Sequence, residues 1–140
     1  TPGKNCKRYL AGALHAKTGR VIWVEGESKS SDLFLDLLAA LRATYRGARE
    51  IVLILDNYII HKSRKTQRWL ASEGEKFRLL FQPAYHPWVN RIERLWKALH
   101  DTITRNHHYS TMEALMEAVR RFMVAAQPFP GAGHALAEVA

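Results

Sequence analysis

The chain has 140 residues, 47% of them hydrophobic and 24% charged, with a net charge of +8 at pH 7. This length suits one globular domain with its own core. A single cysteine, Cys6, excludes an internal disulfide and a multi-cysteine zinc site, and it favours a reducing, cytoplasmic location. No apolar run approaches the roughly 18 residues of a transmembrane helix, so no membrane partner is expected. The basic charge is typical of nucleic-acid-binding proteins, although an indifferent basic domain has the same composition.

The first third of the sequence predicts a β-hairpin followed by a helix. Residues 9–14 and 21–24 are rich in strand-forming residues, and residues 17–19 supply the turn between them. A helix then begins at a cap on Ser30 or Ser31. Apolar residues recur along it at helical spacing. They are Leu33, Phe34, Leu37, Leu38, Leu41 and Tyr45.

The middle of the sequence predicts a buried strand, a helix and a second strand. Residues 51–55, IVLIL, are consecutive apolar residues without alternation, which is typical of a strand covered on both faces. A helix capped by Ser63 and ending near Gly74 follows, and residues 76–82 predict the next strand. The alternation of strands and helices favours an α/β fold with three layers and a mixed sheet.

Two helices complete the predicted domain. The first covers about residues 90–104 and the second about residues 110–126, with Ser110 and Glu113 as a capping box. We expect one domain over residues 1–126 and a loosely ordered tail, rich in Ala, Gly and Pro, over residues 127–140.

One carboxylate, Asp56, directly follows the buried strand. Open α/β sheets bind their ligands at the carboxyl ends of the strands, which is where Asp56 falls. A simpler interpretation is that Asp56 and Asn57 form a common turn pair. Taken alone, Asp56 favours this simpler interpretation.

A second carboxylate, Glu93, falls near the start of the next-to-last helix. With Asn90 as N-cap, Glu93 approximates a capping box, and it also stands four residues before Lys97, so helix chemistry alone accounts for it. Two prolines before this helix, however, fix its first turn. Asp56 and Glu93 can therefore converge, and carboxylate pairs of this kind hold Mg²⁺ or Mn²⁺ for phosphodiester cleavage.

Two segments carry a more specific signal. LDNYIIH, residues 55–61, places an Asn after the Asp and a His five residues after it, and YHPWVNRIERLW, residues 85–96, contains Glu93. Together they resemble the catalytic domain of DDE transposases of the mariner-like insertion-sequence group, which has a ribonuclease H-like fold. The two carboxylates are 37 positions apart, close to the spacing of that family. His86, Val89 and Arg91 depart from its usual Ser, Leu and Pro.

The resemblance implies a catalytic core that cleaves and joins DNA strands. It implies that Asp56 and Glu93 are catalytic ligands of Mg²⁺ or Mn²⁺ and that Asn57, His61 and Asn90 support them. The implied partner is DNA, at transposon ends and at the target.

A third carboxylate of that family, an Asp on a first strand before the hairpin, has no counterpart here. The sequence contains no Asp or Glu before Glu25. We therefore expect a ribonuclease H-like fold whose first strand is missing, with helices on both faces, and a fragment that is inactive alone. Glu25 is the first carboxylate to test as a replacement. The lost strand would leave an apolar gap, and a homodimer that fills it is a further expectation.

Seven basic residues flank the two carboxylates in sequence. Cations of this kind contact DNA phosphates and set affinity without reading bases. For each residue alone, a solvated helix face is an equally good explanation. The seven are Lys62, Arg64, Lys65, Arg68, Arg91, Arg94 and Lys97.

The sequence leaves three functions open. The first is a fragment of a transposase catalytic core, and the second is a non-catalytic or decayed nucleic-acid-binding module on the same fold. A third carboxylate close to Asp56 and Glu93 would separate these two. The third function is a protein-interaction domain with incidental basic charge, which would show no salt-dependent DNA binding.

Overall fold

The structure, a computed structural model, describes residues 7–55, 62–81, 92–104, 108–129 and 137–139. Its elements in chain order are β1 (Tyr9–His15), β2 (Val21–Gly26), α1 (Ser31–Thr44), β3 (Ile51–Leu55), α2 (Arg64–Glu73), β4 (Phe77–Phe81), α3 (Ile92–Leu99), a π-helical turn (His100–Thr104), α4 (Met112–Ala125) and β5 (Ala137–Val139). Within these ranges, no helix is long and apolar enough to cross a membrane.

The five described strands form one mixed sheet in the order β2-β1-β5-β3-β4. β1 is antiparallel to β2 and β5, whereas β3 is parallel to β4 and β5. Two hydrophobic clusters hold the helices on this sheet: one joins α1 to Ala13, and the other joins α3 and α4 to Leu14. Since successive residues of a strand point to opposite faces, the helices cover both faces. The predicted α/β fold with a mixed sheet of the ribonuclease H-like type is confirmed.

The shortest strand, β5, lies in the middle of the sheet. It pairs with residues 13–15 of β1 on one side and with residues 53–55 of β3 on the other. The position where a gap was expected is thus filled by a segment of the same chain. Closure of a gap by a second copy stays a prediction, as does the division of the chain at residue 126.

The N-terminus of α4 corrects one sequence prediction. The cap is Thr111, whose hydroxyl accepts a hydrogen bond from the backbone N–H of Ala114. The predicted capping box of Ser110 and Glu113 is therefore wrong. Glu113 accepts a hydrogen bond from Arg120 at 3.0 Å instead.

Arg120 of α4 also clamps the end of β2 to this helix. Its Nε and Nη2 donate to the two carboxylate oxygens of Glu25 at 2.8 and 2.9 Å. These hydrogen bonds are the main reason that the pKa of Glu25 lies below its usual value, and they outweigh the opposing effect of burial. The clamp therefore joins the hairpin to the α3–α4 face of the sheet.

Glu25→Gln should lower the free energy of unfolding at pH 7 by about 1–2 kcal/mol, since charge-assisted hydrogen bonds are lost at a partly exposed pair. Because the pKa of Glu25 is lowered in the folded state, its contribution is present above the unfolded pKa of about 4.3 and is lost as the pH falls through the folded pKa. Urea unfolding of both proteins between pH 7 and 3 measures this.

The matched control is Glu73→Gln, at an exposed ion pair in which Nη2 of Arg42 and Oε1 of Glu73 lie 3.9 Å apart. This change should alter the stability by less than about 0.5 kcal/mol. If the difference in the free energy of unfolding between wild type and Glu25→Gln were as large at pH 3 as at pH 7, the proposed stabilising role of the ionised Glu25 carboxylate would be contradicted.

Candidate active site

The directions of the strands bring several element ends to one edge of the sheet. β3 ends at Leu55 beside the end of β4 at Phe81, and β5 pairs in parallel with β3. β1 runs the opposite way, so its first residue, Tyr9, lies toward the same edge, opposite Gly26 at the end of β2. We call this the carboxyl edge, defined by Tyr9, Gly26, Leu55 and Phe81.

The starts of α1 and α2 meet beside the carboxyl edge. Ser30 and Ser63 cap the two helices, as predicted. The hydroxyls of Ser31 and Ser63 lie 2.6 Å apart, and Lys65 forms an ion pair with Asp32. These contacts fix the start of α2, which carries three of the predicted DNA-binding residues, Arg64, Lys65 and Arg68.

Five predicted site residues, Asp56, Asn57, His61, Asn90 and Arg91, lie outside the described residues. The preceding strand β3 is firmly placed, because Leu53 and Leu55 are fully buried. The roles of the five residues stay predictions.

Glu93, the second predicted carboxylate, lies in the first turn of α3 with an exposed side chain. Its helix is anchored by Ile92 and Leu95, which are fully buried in the cluster shared with α4. Within the described ranges Glu93 forms no ion pair, and Lys97 lies 2.8 Å from Asp101. An exposed carboxylate on an anchored helix is a suitable oxygen donor for a hard cation.

Three of the predicted DNA-binding cations have partners inside the protein. Lys65 and Lys97 are in the ion pairs described above. Lys62 lies over the ring of Phe81, with its Nζ 4.5 Å from the ring centroid. This cation–π contact places Lys62 at the carboxyl edge.

The other described cations of the set are three arginines, Arg64, Arg68 and Arg94. All three are exposed, and none forms an ion pair with another described residue. Two are on α2 and the third follows Glu93 directly on α3. These guanidinium groups therefore remain available for phosphate.

Glu25, considered as a replacement for a third carboxylate, is poorly placed for that role. β2 is separated from β3 by β1 and β5, and three strand spacings amount to roughly 14 Å. Both oxygens of Glu25 are also engaged by Arg120. Among the described residues, no three His, Cys, Asp or Glu side chains cluster as a metal site.

Sequence reasoning missed an apolar groove of about 600 Å³ next to the carboxyl edge. The start of β1 forms one wall, and α3 and the first half of α4 form the others. Lys7 and Arg8 stand at its rim, and Trp96 lines it. Trp96 is visible in the sequence, but only the fold brings it beside residues 7–10.

Comparison with known proteins gives a consistent family. Residues 1–116 match the family described as DDE superfamily endonuclease. A relative from Shigella sonnei, the "insertion element IS630 uncharacterized 39 kDa protein", is 63% identical over 139 residues. That match covers 99% of this chain and 40% of the relative, so the chain spans two fifths of that protein. Because the family match covers most of the chain, the protein belongs to the DDE superfamily endonucleases.

Proposed function

We propose that this chain is part of the catalytic core of a DNA transposase, which cleaves phosphodiester bonds and transfers strands between transposon ends and target DNA. The observation that carries the proposal is Glu93, an exposed carboxylate on an anchored helix at the position of the family motif. The relative from Shigella sonnei belongs to an insertion element, which agrees with this activity.

The proposed cofactor is Mg²⁺ or Mn²⁺, with Asp56 and Glu93 as ligands. The donor chemistry fits, because hard cations prefer carboxylate oxygens and the Glu93 carboxylate is exposed. A bound ion would supply activation of water and stabilisation of the leaving oxygen. Asn57, His61 and Asn90 are proposed to orient these ligands.

The proposed role of Arg64, Arg68 and Arg94, which form no ion pair with another described residue, is to hold the DNA backbone at the carboxyl edge. Arg64 and Arg68 lie on a helix whose start is fixed by the Ser31–Ser63 hydrogen bond. Arg94 follows Glu93 in the chain, so a phosphate bound there is near the proposed ligand. Phosphate contacts of this kind position DNA without reading its sequence.

A second candidate is a non-catalytic DNA-binding module on the same fold. It is favoured by the engagement of Glu25 with Arg120, which leaves two proposed ligands for a mechanism that uses three carboxylates in this family. Metal binding separates the two candidates, since a module without a catalytic role needs no cation at Asp56 and Glu93.

The chain should bind one Mn²⁺ weakly, and Asp56→Asn or Glu93→Gln should each weaken this binding at least about tenfold because one charged ligand is removed. Electron paramagnetic resonance of free Mn²⁺ during a titration measures the binding. Glu75→Gln, at an exposed residue between α2 and β4, is the control and should leave the affinity unchanged. Equal affinity in wild type and both ligand variants would refute the metal site.

The chain alone should show almost no nicking of supercoiled plasmid with Mg²⁺ or Mn²⁺. Two ligands hold an ion loosely, and loss of one member of a cooperating catalytic set commonly costs several orders of magnitude in rate. Asp56→Asn serves as the control for contaminating nuclease. Robust nicking that disappears in Asp56→Asn would show that another carboxylate completes the site.

The chain should bind duplex DNA with little sequence preference and with an affinity that falls steeply with salt. The double variant Arg64→Ala/Arg68→Ala should reduce the slope of log K against log salt concentration by about 1.8, since two phosphate contacts are lost. Arg46→Ala/Arg49→Ala, at exposed residues near the opposite end of β3, should leave the slope unchanged. Both slopes are obtained from binding constants measured by fluorescence anisotropy between about 50 and 200 mM salt, a range over which counterion release changes the affinity strongly.

Binding that does not vary with salt would remove the electrostatic argument. It would favour the third function, a protein-interaction domain with incidental charge. An equal decrease in the slope of log K against log salt concentration in both double variants would show that DNA does not bind preferentially at the carboxyl edge.

A further inference from the structure

A close contact joins the middle of β1 to α3. A Cβ atom added to Gly12 would lie 2.9 Å from Cη2 and 3.0 Å from Cζ2 of Trp96. Both atoms belong to the six-membered ring of the rigid indole, which therefore lies directly on the backbone of the strand. Even the single methyl group of an alanine at position 12 does not fit unless one of the two elements shifts.

The strand is the element that cannot yield. Gly12 pairs with Trp23 of β2, and the three residues after Gly12 pair with β5. β1 is thus an inner strand with hydrogen-bonded neighbours on both sides, and moving it would disturb both ladders. A displacement imposed at Gly12 therefore falls on Trp96 and on the helix that carries it.

Trp96 lies on the same flank of α3 as the proposed ligand Glu93. The two residues are three positions apart, so they are neighbours on the helix surface. Ile92 and Leu95 are fully buried, and by helical spacing Leu95 lies on the opposite side of Ile92 from Trp96. A group pushed under Trp96 would therefore roll α3 about its buried residues and lift the flank that carries Glu93.

The size of this displacement is large enough to matter for a metal ligand. Restoring an ordinary contact of 3.4 Å between the added methyl group and the indole requires a shift of about half an ångström. Binding constellations have to hold their groups within about 0.5 Å of the productive geometry. A roll of α3 by this amount would therefore misplace the Glu93 carboxylate.

We propose that Gly12 is a positioning residue of the metal site. Because it has no side chain, Trp96 can lie on β1, and this contact sets the position at which α3 holds the Glu93 carboxylate. The proposal rests on the proposed function, in which Glu93 is a ligand of Mg²⁺ or Mn²⁺, and it adds a residue of β1 to that site. Gly12 acts on the ligand only through Trp96 and α3.

The experiment measures Mn²⁺ affinity by electron paramagnetic resonance of free Mn²⁺ in two backgrounds. In the wild-type background, Gly12→Ala should weaken Mn²⁺ binding about threefold to tenfold, as expected when a group that orients a metal ligand is disturbed. In the Glu93→Gln background, Gly12→Ala should have no further effect, because the carboxylate that it displaces is gone. A merely structural role of Gly12 would not depend on Glu93 in this way.

A second change should restore the affinity. Trp96→Phe removes the outer ring atoms that meet the new methyl group. The double variant Gly12→Ala/Trp96→Phe should therefore bind Mn²⁺ within about twofold of wild type, since changes at residues in contact are coupled.

Two glycines provide matched controls. A Cβ atom at Gly47 meets nothing within 4 Å, so Gly47→Ala should leave the Mn²⁺ affinity unchanged. A Cβ atom at Gly74 would lie 2.7 Å from Cα of Leu70 and 3.1 Å from Cζ3 of Trp69, so Gly74→Ala crowds the end of α2 instead of α3. Gly74→Ala should lower the stability in urea without changing the Mn²⁺ affinity. Circular dichroism under the titration conditions confirms that each variant is folded.

Equal Mn²⁺ affinity of wild type and folded Gly12→Ala, with weaker binding by Glu93→Gln, would overturn the positioning role alone. The indole would then have rotated into the neighbouring groove without moving α3. A loss as large in the Glu93→Gln background as in wild type would also overturn it, because Gly12 would act elsewhere. If Glu93→Gln itself binds Mn²⁺ as tightly as wild type, the metal site of the proposed function is refuted, and the role of Gly12 in it is refuted as well.

Discussion

The backbone pairing of β5 is the constraint on which the rest of the fold depends. β1 and β3 are inner strands, and β5 is their shared neighbour. Without it, backbone groups along both strands would be unpaired beneath the helices, and each buried unpaired group costs about 1–3 kcal/mol. Ala and Glu are poor strand formers, yet Ala137 and Glu138 lie in this strand. The demand of the two neighbouring strands for hydrogen bonds therefore outweighs local propensity.

The order of the strands in turn determines which carboxylates can act together. Joining the hairpin to β3 and β4 through β5 sets Glu25 three strands from β3, and Arg120 then neutralises it within the hairpin–α4 contact. Glu93 differs because α3 packs across the sheet through buried Ile92 and Leu95 while its polar side stays exposed. Glu25 therefore stabilises the fold, whereas the carboxylate of Glu93 remains accessible to a ligand.

Much of the fold could be predicted from the sequence because its signals are local. Apolar runs identified β3, and capping serines identified the starts of α1 and α2. The α4 cap was misplaced by one residue because Ser110 and Thr111 are both good caps, and Glu113 bonds to Arg120 of the same helix. β5 has no local signal, since its pairing is entirely long-range. The carboxylate motif could be recognised in the sequence. The Arg120–Glu25 pair and the groove could not be predicted, because each is formed by residues far apart in the chain that only helix packing brings together.

The cations of this protein fall into two groups with different physical consequences. Lys65 of α2 pairs with Asp32 of α1, and Arg120 of α4 pairs with Glu25 of β2, so these two cations connect separate elements of the fold. Arg64 and Arg94 are exposed without an ion pair to a described residue, so their hydration is the main cost of binding a phosphate. Salt screens exposed charges, including the exposed Lys65–Asp32 pair, more strongly than the partly buried Arg120–Glu25 pair. On the proposal that these arginines hold DNA phosphates, raising the ionic strength should release the DNA well before it breaks the Arg120–Glu25 pair, so that binding is reversible without loss of structure.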